Sequence, residues 1–372
     1  MAARLLLPRD DILNQVPASF RPFAEALLGE DDPAPGLIQL LGTLGRKTAP
    51  EEARDFALLL RRALPPSARR DRVSEVFLRE SYPAWYIRAV NDRHRNAAYC
   101  AAIETAVTPR SIVLETGTGS GLFAMMAARA GATHVYTCEK DPHVAEIARL
   151  NIARNGFRDK ITVLESPHEE LRVGEHIPRR ADILLHEFVA SHFMVKEIPK
   201  IISRLRNELL TDDAVLLPSR FSAIGKLIGD PWPLDLVRVP DTVEGLDVSA
   251  INILEVADVS LPGPVTIETP LSAPVTLADF DPCADDAPTT DRVVEIEATG
   301  SGAASGLLQW VRYEFPDGSV YENRPDLACH WWPYFWPFAN AVPVRAGDRL
   351  PLKILCSETE VFIDLVTDSR DD

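Results

Sequence analysis

Paired cysteines, long apolar runs and an excess of positive charge are all missing from this sequence. Its five cysteines (Cys100, Cys138, Cys283, Cys329 and Cys356) are odd in number and form no Cys-x-x-Cys pair. That argues against a disulfide framework and a zinc site, leaves no expected metal, and fits reduced thiols in the cytoplasm. No apolar run approaches the roughly 18 residues a membrane span requires. The opening Met-Ala-Ala-Arg-Leu-Leu-Leu-Pro-Arg-Asp is too short in apolar residues for a signal peptide. Lys and Arg number 39 against 55 Asp and Glu, a net charge of −16. Such a surface repels phosphate backbones, so nucleic acid is not expected as a partner, and the runs at Arg61-Arg62 and Arg69-Arg70-x-Arg72 read as solvated helix faces. The same charge favours cationic partners. What remains is ordinary globular composition, 46% hydrophobic and 25% charged over 372 residues, enough for two or three domains.

Residues 1–80 read as a helical extension. Apolar residues recur at helical spacing over 20–28 and 56–64, separated by an acidic Pro/Gly break at Asp31-Asp32-Pro33-Ala34-Pro35-Gly36. From Ser111 the pattern alternates. Strands are expected at 112–115, 135–139, 161–165 and 183–186, with helices at 122–130, 142–155 and 198–210. This is the grammar of an α/β fold with a doubly wound parallel sheet. After Pro218 prolines multiply and short β-rich runs follow at 221–228, 293–298, 307–315, 350–356 and 361–366, as in an antiparallel barrel or sandwich. The expected division is therefore 1–80, 81–217 and 218–372.

The sharpest motif is Val113-Leu114-Glu115-Thr116-Gly117-Thr118-Gly119-Ser120-Gly121, which leaves a strand and opens a helix. Glycines let the chain turn sharply and let a ligand lie on bare backbone, and the helix N-terminus offers unpaired N–H groups. The second strand ends in Glu139, a carboxylate suited to two ribose hydroxyls. The Gly-x-Gly-x-Gly spacing is not that of dinucleotide binders. With Glu115 ahead of the loop it favours S-adenosyl-L-methionine (SAM) over NAD, with S-adenosyl-L-homocysteine (AdoHcy) as product. Glu169, after the third strand, is a candidate for the adenine amine, with His168 and Glu170 as alternatives.

Several separated motifs in this order resemble the protein arginine N-methyltransferases, nearest their monomethylating branch. The stretch Tyr86-Ile87-Arg88-Ala89-Val90-Asn91-Asp92-Arg93-His94-Arg95-Asn96-x-x-Tyr99 resembles the family's cofactor-covering N-terminal helix. Ala181-Asp182-Ile183-Leu184-Leu185-His186-Glu187 resembles the strand leading to its acidic double-glutamate loop. Leu216-Leu217-Pro218-Ser219-Arg220 is similar to the start of its β-barrel, and Cys329-His330-Trp331 to its Thr-His-Trp loop. The resemblance implies a SAM-binding Rossmann-like domain followed by an antiparallel β-barrel, with the acceptor a cationic protein or peptide. It also implies a homodimer formed through an arm near 230–245. By the same resemblance Arg95 clamps the SAM carboxylate and Tyr86 lines the active site. Glu187 and a second loop glutamate grip the guanidinium, Asp92 and His330 form a carboxylate–imidazole pair, and Trp331 faces the acceptor pocket.

Two departures bear on the acceptor. The family's loop glutamates stand nine positions apart, whereas Lys196 occupies that place here and Glu197 follows it; Glu197 is taken as the second carboxylate. His186 and His192 also replace residues usual in the loop. A SAM-dependent enzyme of the same fold acting on another nitrogen or a small molecule is therefore the alternative, and a non-catalytic SAM-binding regulator the second.

Overall fold

In the computed structural model, residues 5–65, 72–79, 82, 85–189, 193, 198–283, 290–356 and 361–366 are described. The chain forms two compact units, Met1–Ile87 and Arg88–Asp372.

The first unit is helical: α1 (Arg9–Gln15), α2 (Arg21–Leu28), α3 (Ala34–Leu44), α4 (Pro50–Ala63) and α5 (Arg72–Leu78), with α6 (Trp85–Asn91) crossing the division. The core of this unit is built from Ile12, Phe20, Leu37, Leu41, Phe56 and Leu60, all fully buried, and the Phe20 and Phe56 rings meet at 4.5 Å. The 31–36 break is shorter than the sequence implied, because α3 begins inside it at Ala34. Pro33 and Pro35 sit at its start, where a missing N–H costs nothing.

The second unit opens with α7 (Arg93–Ala106), capped by the Asp92 carboxylate, which accepts from the Arg95 backbone N–H at 3.0 Å. There follow β1 (Ile112–Thr116), α8 (Leu122–Arg129), β2 (His134–Glu139), α9 (Pro142–Arg154), β3 (Ile161–Glu165), β4 (Ala181–Leu185), α10 (Ile198–Leu209) and β5 (Leu210–Leu217). The five strands make one parallel sheet in the order β3-β2-β1-β4-β5. Every residue of β1 is buried, as expected of a strand covered on both faces. The order reverses at β1, so the crevice beyond the carboxyl ends of β1 and β4 is where this architecture binds ligands.

The remaining chain is antiparallel. It comprises β6 (Arg220–Ile228), the hairpin β7 (Thr242–Val243) and β8 (Leu246–Asp247), β9 (Val259–Ser260), β10 (Val275–Phe280), β11 (Thr290–Glu297), β12 (Gly302–Glu314), β13 (Val320–Glu322), β14 (Tyr334–Val344), β15 (Arg349–Cys356) and β16 (Val361–Leu365). One sheet runs β10-β6-β12-β14-β9 with β13 beside β12; a smaller one runs β11-β15-β16. The doubly wound sheet, the antiparallel region and the helical extension are the architecture the sequence pattern implied. One large apolar core runs through the second unit, from Leu114 and Leu184 of the parallel sheet to Phe221, Leu307 and Trp336 of the antiparallel region, and a smaller cluster gathers Ile228, Leu261, Val265, Leu308 and Phe335.

Candidate active site

The site is assembled at the carboxyl edge of β1, β2 and β4. Gly117, Gly119 and Gly121 all take positive φ, at 78°, 53° and 78°, which only glycine adopts without strain. A Cβ on Gly117 would meet nothing within 4 Å, so the loop exposes bare backbone toward open space. Glu139 ends β2 and braces this loop: its carboxylate accepts from the Gly119 and Asp141 backbone N–H groups, both at 3.2 Å.

Glu115 lies inside the sheet. Register places it opposite Thr137 on β2, whose hydroxyl donates to the Glu115 carboxyl at 2.5 Å and lies 2.6 Å from the Thr118 hydroxyl. Burial pushes the Glu115 carboxyl up to about 8, against the opposing pull of the Thr137 hydrogen bond and of Arg95. Burial thus favours its neutral form, while the Thr118–Thr137 hydroxyl contact ties the glycine loop to β2. Beside it, the buried Thr116 hydroxyl oxygen has no partner among the described residues. Open backbone, an unpartnered hydroxyl and a terminal carboxylate fit a nucleoside cofactor with a polar tail.

Glu187 stands two residues beyond Leu185, which pairs with Glu115 across β1 and β4. Tyrosines pin the backbone around it: the Tyr99 hydroxyl donates to the His186 carbonyl at 2.8 Å, and the Tyr313 hydroxyl donates to the Val189 carbonyl. The Glu187 carboxylate holds the Arg95 guanidinium side-on, with Nε to Oε1 and Nη2 to Oε2 both at 2.5 Å. Arg95 also lies over the Phe123 ring, 4.3 Å from its centre.

Asp92 is the second node. It is 1% exposed and accepts from Arg95 N–H, from the Tyr321 hydroxyl at 2.8 Å, and from the backbone N–H and Nδ1 of His330, both at 3.0 Å. Burial alone would raise this carboxyl, but hydrogen bonds from His330, Arg95 and Tyr321 outweigh it and hold it at about 2. Burial pushes His330 down, partly offset by its bond to Asp92. The pair is therefore a carboxylate and a neutral imidazole. With Nδ1–H given to Asp92, His330 Nε2 is an open acceptor 4.0 Å from Glu187 Oε1.

Glu115, Gly117, Gly119, Gly121 and Glu139 thus gather along one strand edge, and Asp92, Arg95, Glu187 and His330 form one connected network. Trp331 is half-buried, edge-on to His330 at 5.0 Å, and its buried indole nitrogen has no partner among the described residues. Glu169 sits on a short 3₁₀ turn, 64% exposed, with its carboxylate 3.5 Å from His168 Nδ1. Tyr86 belongs to the first unit, where its ring meets Tyr82 at 6.5 Å. Glu197, Lys196 and His192 lie outside the described residues. Tyr99 closes the motif of the cofactor-covering helix, whereas nothing in the sequence singled out Tyr313 and Tyr321. Their only signal was the presence of an O–H on otherwise apolar elements, which when buried demands an acceptor. Among the described residues no cluster of His, Cys, Asp or Glu could hold a metal, and no helix is long and apolar enough to cross a membrane.

A glycine-rich turn on a doubly wound sheet, closed by a strand-end carboxylate, defines a methyltransferase fold, and residues 93–209 match the family model described as ribosomal protein L11 methyltransferase (PrmA). The chain is 32% identical over 292 residues to the arginine N(omega)-methyltransferase of Streptomyces achromogenes subsp. streptozoticus, covering 77% of this chain and 80% of that protein. It therefore belongs to the arginine N-methyltransferase family. It is 26% identical to protein arginine N-methyltransferase 7 of Drosophila ananassae over 71% of this chain, a match that spans 40% of that longer protein. Among solved structures, the Trypanosoma brucei PRMT1 enzyme–prozyme heterotetrameric complex with AdoHcy shares the fold, with a TM-score of 0.68 at 21% identity, over 78% of this chain and 96% of that one. Arabidopsis thaliana protein arginine methyltransferase 10 follows with a TM-score of 0.60 at 18% identity, over 76% and 93%.

Proposed function

We propose that this protein transfers a methyl group from SAM to a guanidino nitrogen of arginine in a cationic protein or peptide. One observation carries the reading: Glu187, at the carboxyl edge of the sheet, already receives a guanidinium through both oxygens. When bound, the cofactor supplies an electrophilic methyl group on a sulfonium centre. The glycine loop and Glu139 hold its ribose, Glu169 serves its adenine amine, and Glu115 fixes Thr137, whose hydroxyl contacts Thr118 of the loop. Arg95 serves its carboxylate.

A guanidinium is charged at any accessible pH and its lone pairs are delocalised. The acceptor therefore needs carboxylates that draw positive charge away from the attacking nitrogen, which is the role of Glu187 and, from the loop, Glu197. Trp331 lines the pocket. Methylation releases one proton, and the neutral His330 Nε2 beside Glu187 is the group that takes it up. Holding the reactants in line supplies a large share of the rate, on the order of 7–11 kcal/mol of the barrier in well-oriented systems.

The division into 1–80, 81–217 and 218–372 belongs to this proposal, supported by the compact first unit. So does a cytoplasmic homodimer. Five free thiols favour a reducing compartment. The segment after the 242–247 hairpin leaves Ile251, Ile253 and Leu254 exposed at 53%, 88% and 74%, an apolar stretch that a second copy would cover. A second reading, free arginine as acceptor, rests on the Streptomyces relative, whose name specifies arginine without a protein.

The test is methyl transfer from labelled SAM to arginine-, lysine- and histidine-containing peptides and to free L-arginine, with acid hydrolysis and mass identification. Methylarginine is the expected product. AdoHcy binding with label only on lysine or histidine, or on nothing, would overturn the arginine assignment.

A further inference from the structure

Two ligand roles converge on one ion pair. Under the function proposed above, Arg95 serves the cofactor carboxylate and Glu187 serves the acceptor guanidinium, yet here each is engaged by the other. Nε and Nη2 of Arg95 donate to the two oxygens of Glu187, while Nη1 donates to the Ala89 carbonyl at 3.1 Å and to Asn96 Oδ1 at 2.9 Å. A guanidinium has five N–H groups, and these bonds use four of them. The side-on edge that would grip a second carboxylate is taken. On the other side, both Glu187 oxygens already carry a guanidinium in the geometry an acceptor arginine would seek. The pair is 9% and 19% exposed at its side chains, so water does little to loosen it. The aromatic face of Phe123 beneath Arg95 completes a small internal arginine site.

We infer that Arg95 is a built-in surrogate for the acceptor, and that the cofactor's carboxylate releases Glu187 by drawing Arg95 away. This rests on the proposed arginine methyl transfer. The two ligand sites are then coupled: cofactor binding opens the acceptor site, and the acceptor strengthens cofactor binding by the same factor. The trigger is the carboxylate of the cofactor's amino-acid tail and not its nucleoside. Before the cofactor is bound, Glu187 stays neutralised, and a wandering cation finds its carboxylate already taken by Arg95.

The test measures equilibrium binding of a dansylated peptide with a single arginine to the full chain, alone and saturated with either of two nucleosides. AdoHcy carries the amino-acid tail; 5′-methylthioadenosine has the same nucleoside without the carboxylate. The expected result is at least tenfold tighter peptide binding with AdoHcy and less than a twofold change with 5′-methylthioadenosine. In R95Q, peptide binding without nucleoside should rise toward the AdoHcy-bound wild-type value and should no longer respond to AdoHcy. Equal peptide affinity with and without AdoHcy, or an equal gain from both nucleosides, would overturn the coupling. Methylarginine formation by the same preparation separates the two claims. Turnover with uncoupled binding defeats only this inference, whereas absence of methylarginine defeats the reading beneath it.

Discussion

Replacing Asp92 by Asn tests how the network is held. The Asp92 carboxylate caps α7, fixes both donors of His330 and accepts the Tyr321 hydroxyl. A carboxyl held at about 2 instead of its ordinary 3.8 contributes about 2 kcal/mol to stability at neutral pH. Because the folded value is the lower one, that contribution is present above pH 3.8 and fades as pH falls toward 2. An amide in its place keeps one oxygen. Tyr321 can rotate to accept from the new N–H, but at least one backbone donor, that of Arg95 or of His330, is left facing nitrogen. A buried donor without a partner costs about 1–3 kcal/mol, so D92N should destabilise by about 3–5 kcal/mol. Y321F removes one bond to a charged acceptor and should cost about 1.5–3 kcal/mol. Five of the six tryptophans lie in the second unit, Trp85 being the exception. Urea unfolding at pH 7 followed by tryptophan fluorescence therefore reports on the right unit. A D92N loss below about 1 kcal/mol, or a Y321F loss clearly larger than that of D92N, would refute the claim that Asp92 is the node.

The other expectations follow from single groups. His186 is fully buried and its imidazole is pushed down to about 4 by burial. The unfolded chain takes up a proton below pH 6.5 that the folded one refuses until about 4, so stability should drop by about 3 kcal/mol across that window; a melting temperature flat from pH 7 to 4.5 would contradict this. Burial holds Glu115 at about 8, above its ordinary 4.5, so its cost accumulates as pH rises from 4.5 to 8. E115Q should flatten that loss in pH-dependent unfolding. G117A puts a Cβ at a φ of 78° on open backbone, costing about 1–2 kcal/mol of strain. It should also weaken AdoHcy binding at least tenfold by calorimetry, with little change in the fold by circular dichroism.

The parallel half was legible because its burial is one-dimensional. β1, β2 and β3 are short apolar runs between helical stretches, and the glycine loop announces the turn. β5 was harder to read: its first half carries Thr211-Asp212-Asp213, and edge position lets those side chains reach water. β14 hid behind Pro337 and Pro343 and a cluster of aromatics that reads as a pocket wall; its bulged pairing with β12 accommodates the prolines. In the site, the residue types were readable and their partners were not. Arg95 and Glu187 are 92 positions apart, and Tyr321 is 229 from Asp92. No local pattern encodes which carboxylate meets which cation across such separations. A buried tyrosine looks like core until its hydroxyl's acceptor is seen.

Under the proposed function, Glu187 turns the cofactor crevice into a guanidinium-methylating site. The most direct measurement runs AdoHcy binding and methylarginine formation side by side on wild type and Glu187→Gln. Methylarginine from the wild type, a loss of at least a hundredfold in the variant, and AdoHcy binding retained in both are the expected results. Undiminished methylarginine formation by the variant would contradict the proposed function, as would a wild type that binds AdoHcy and methylates no arginine.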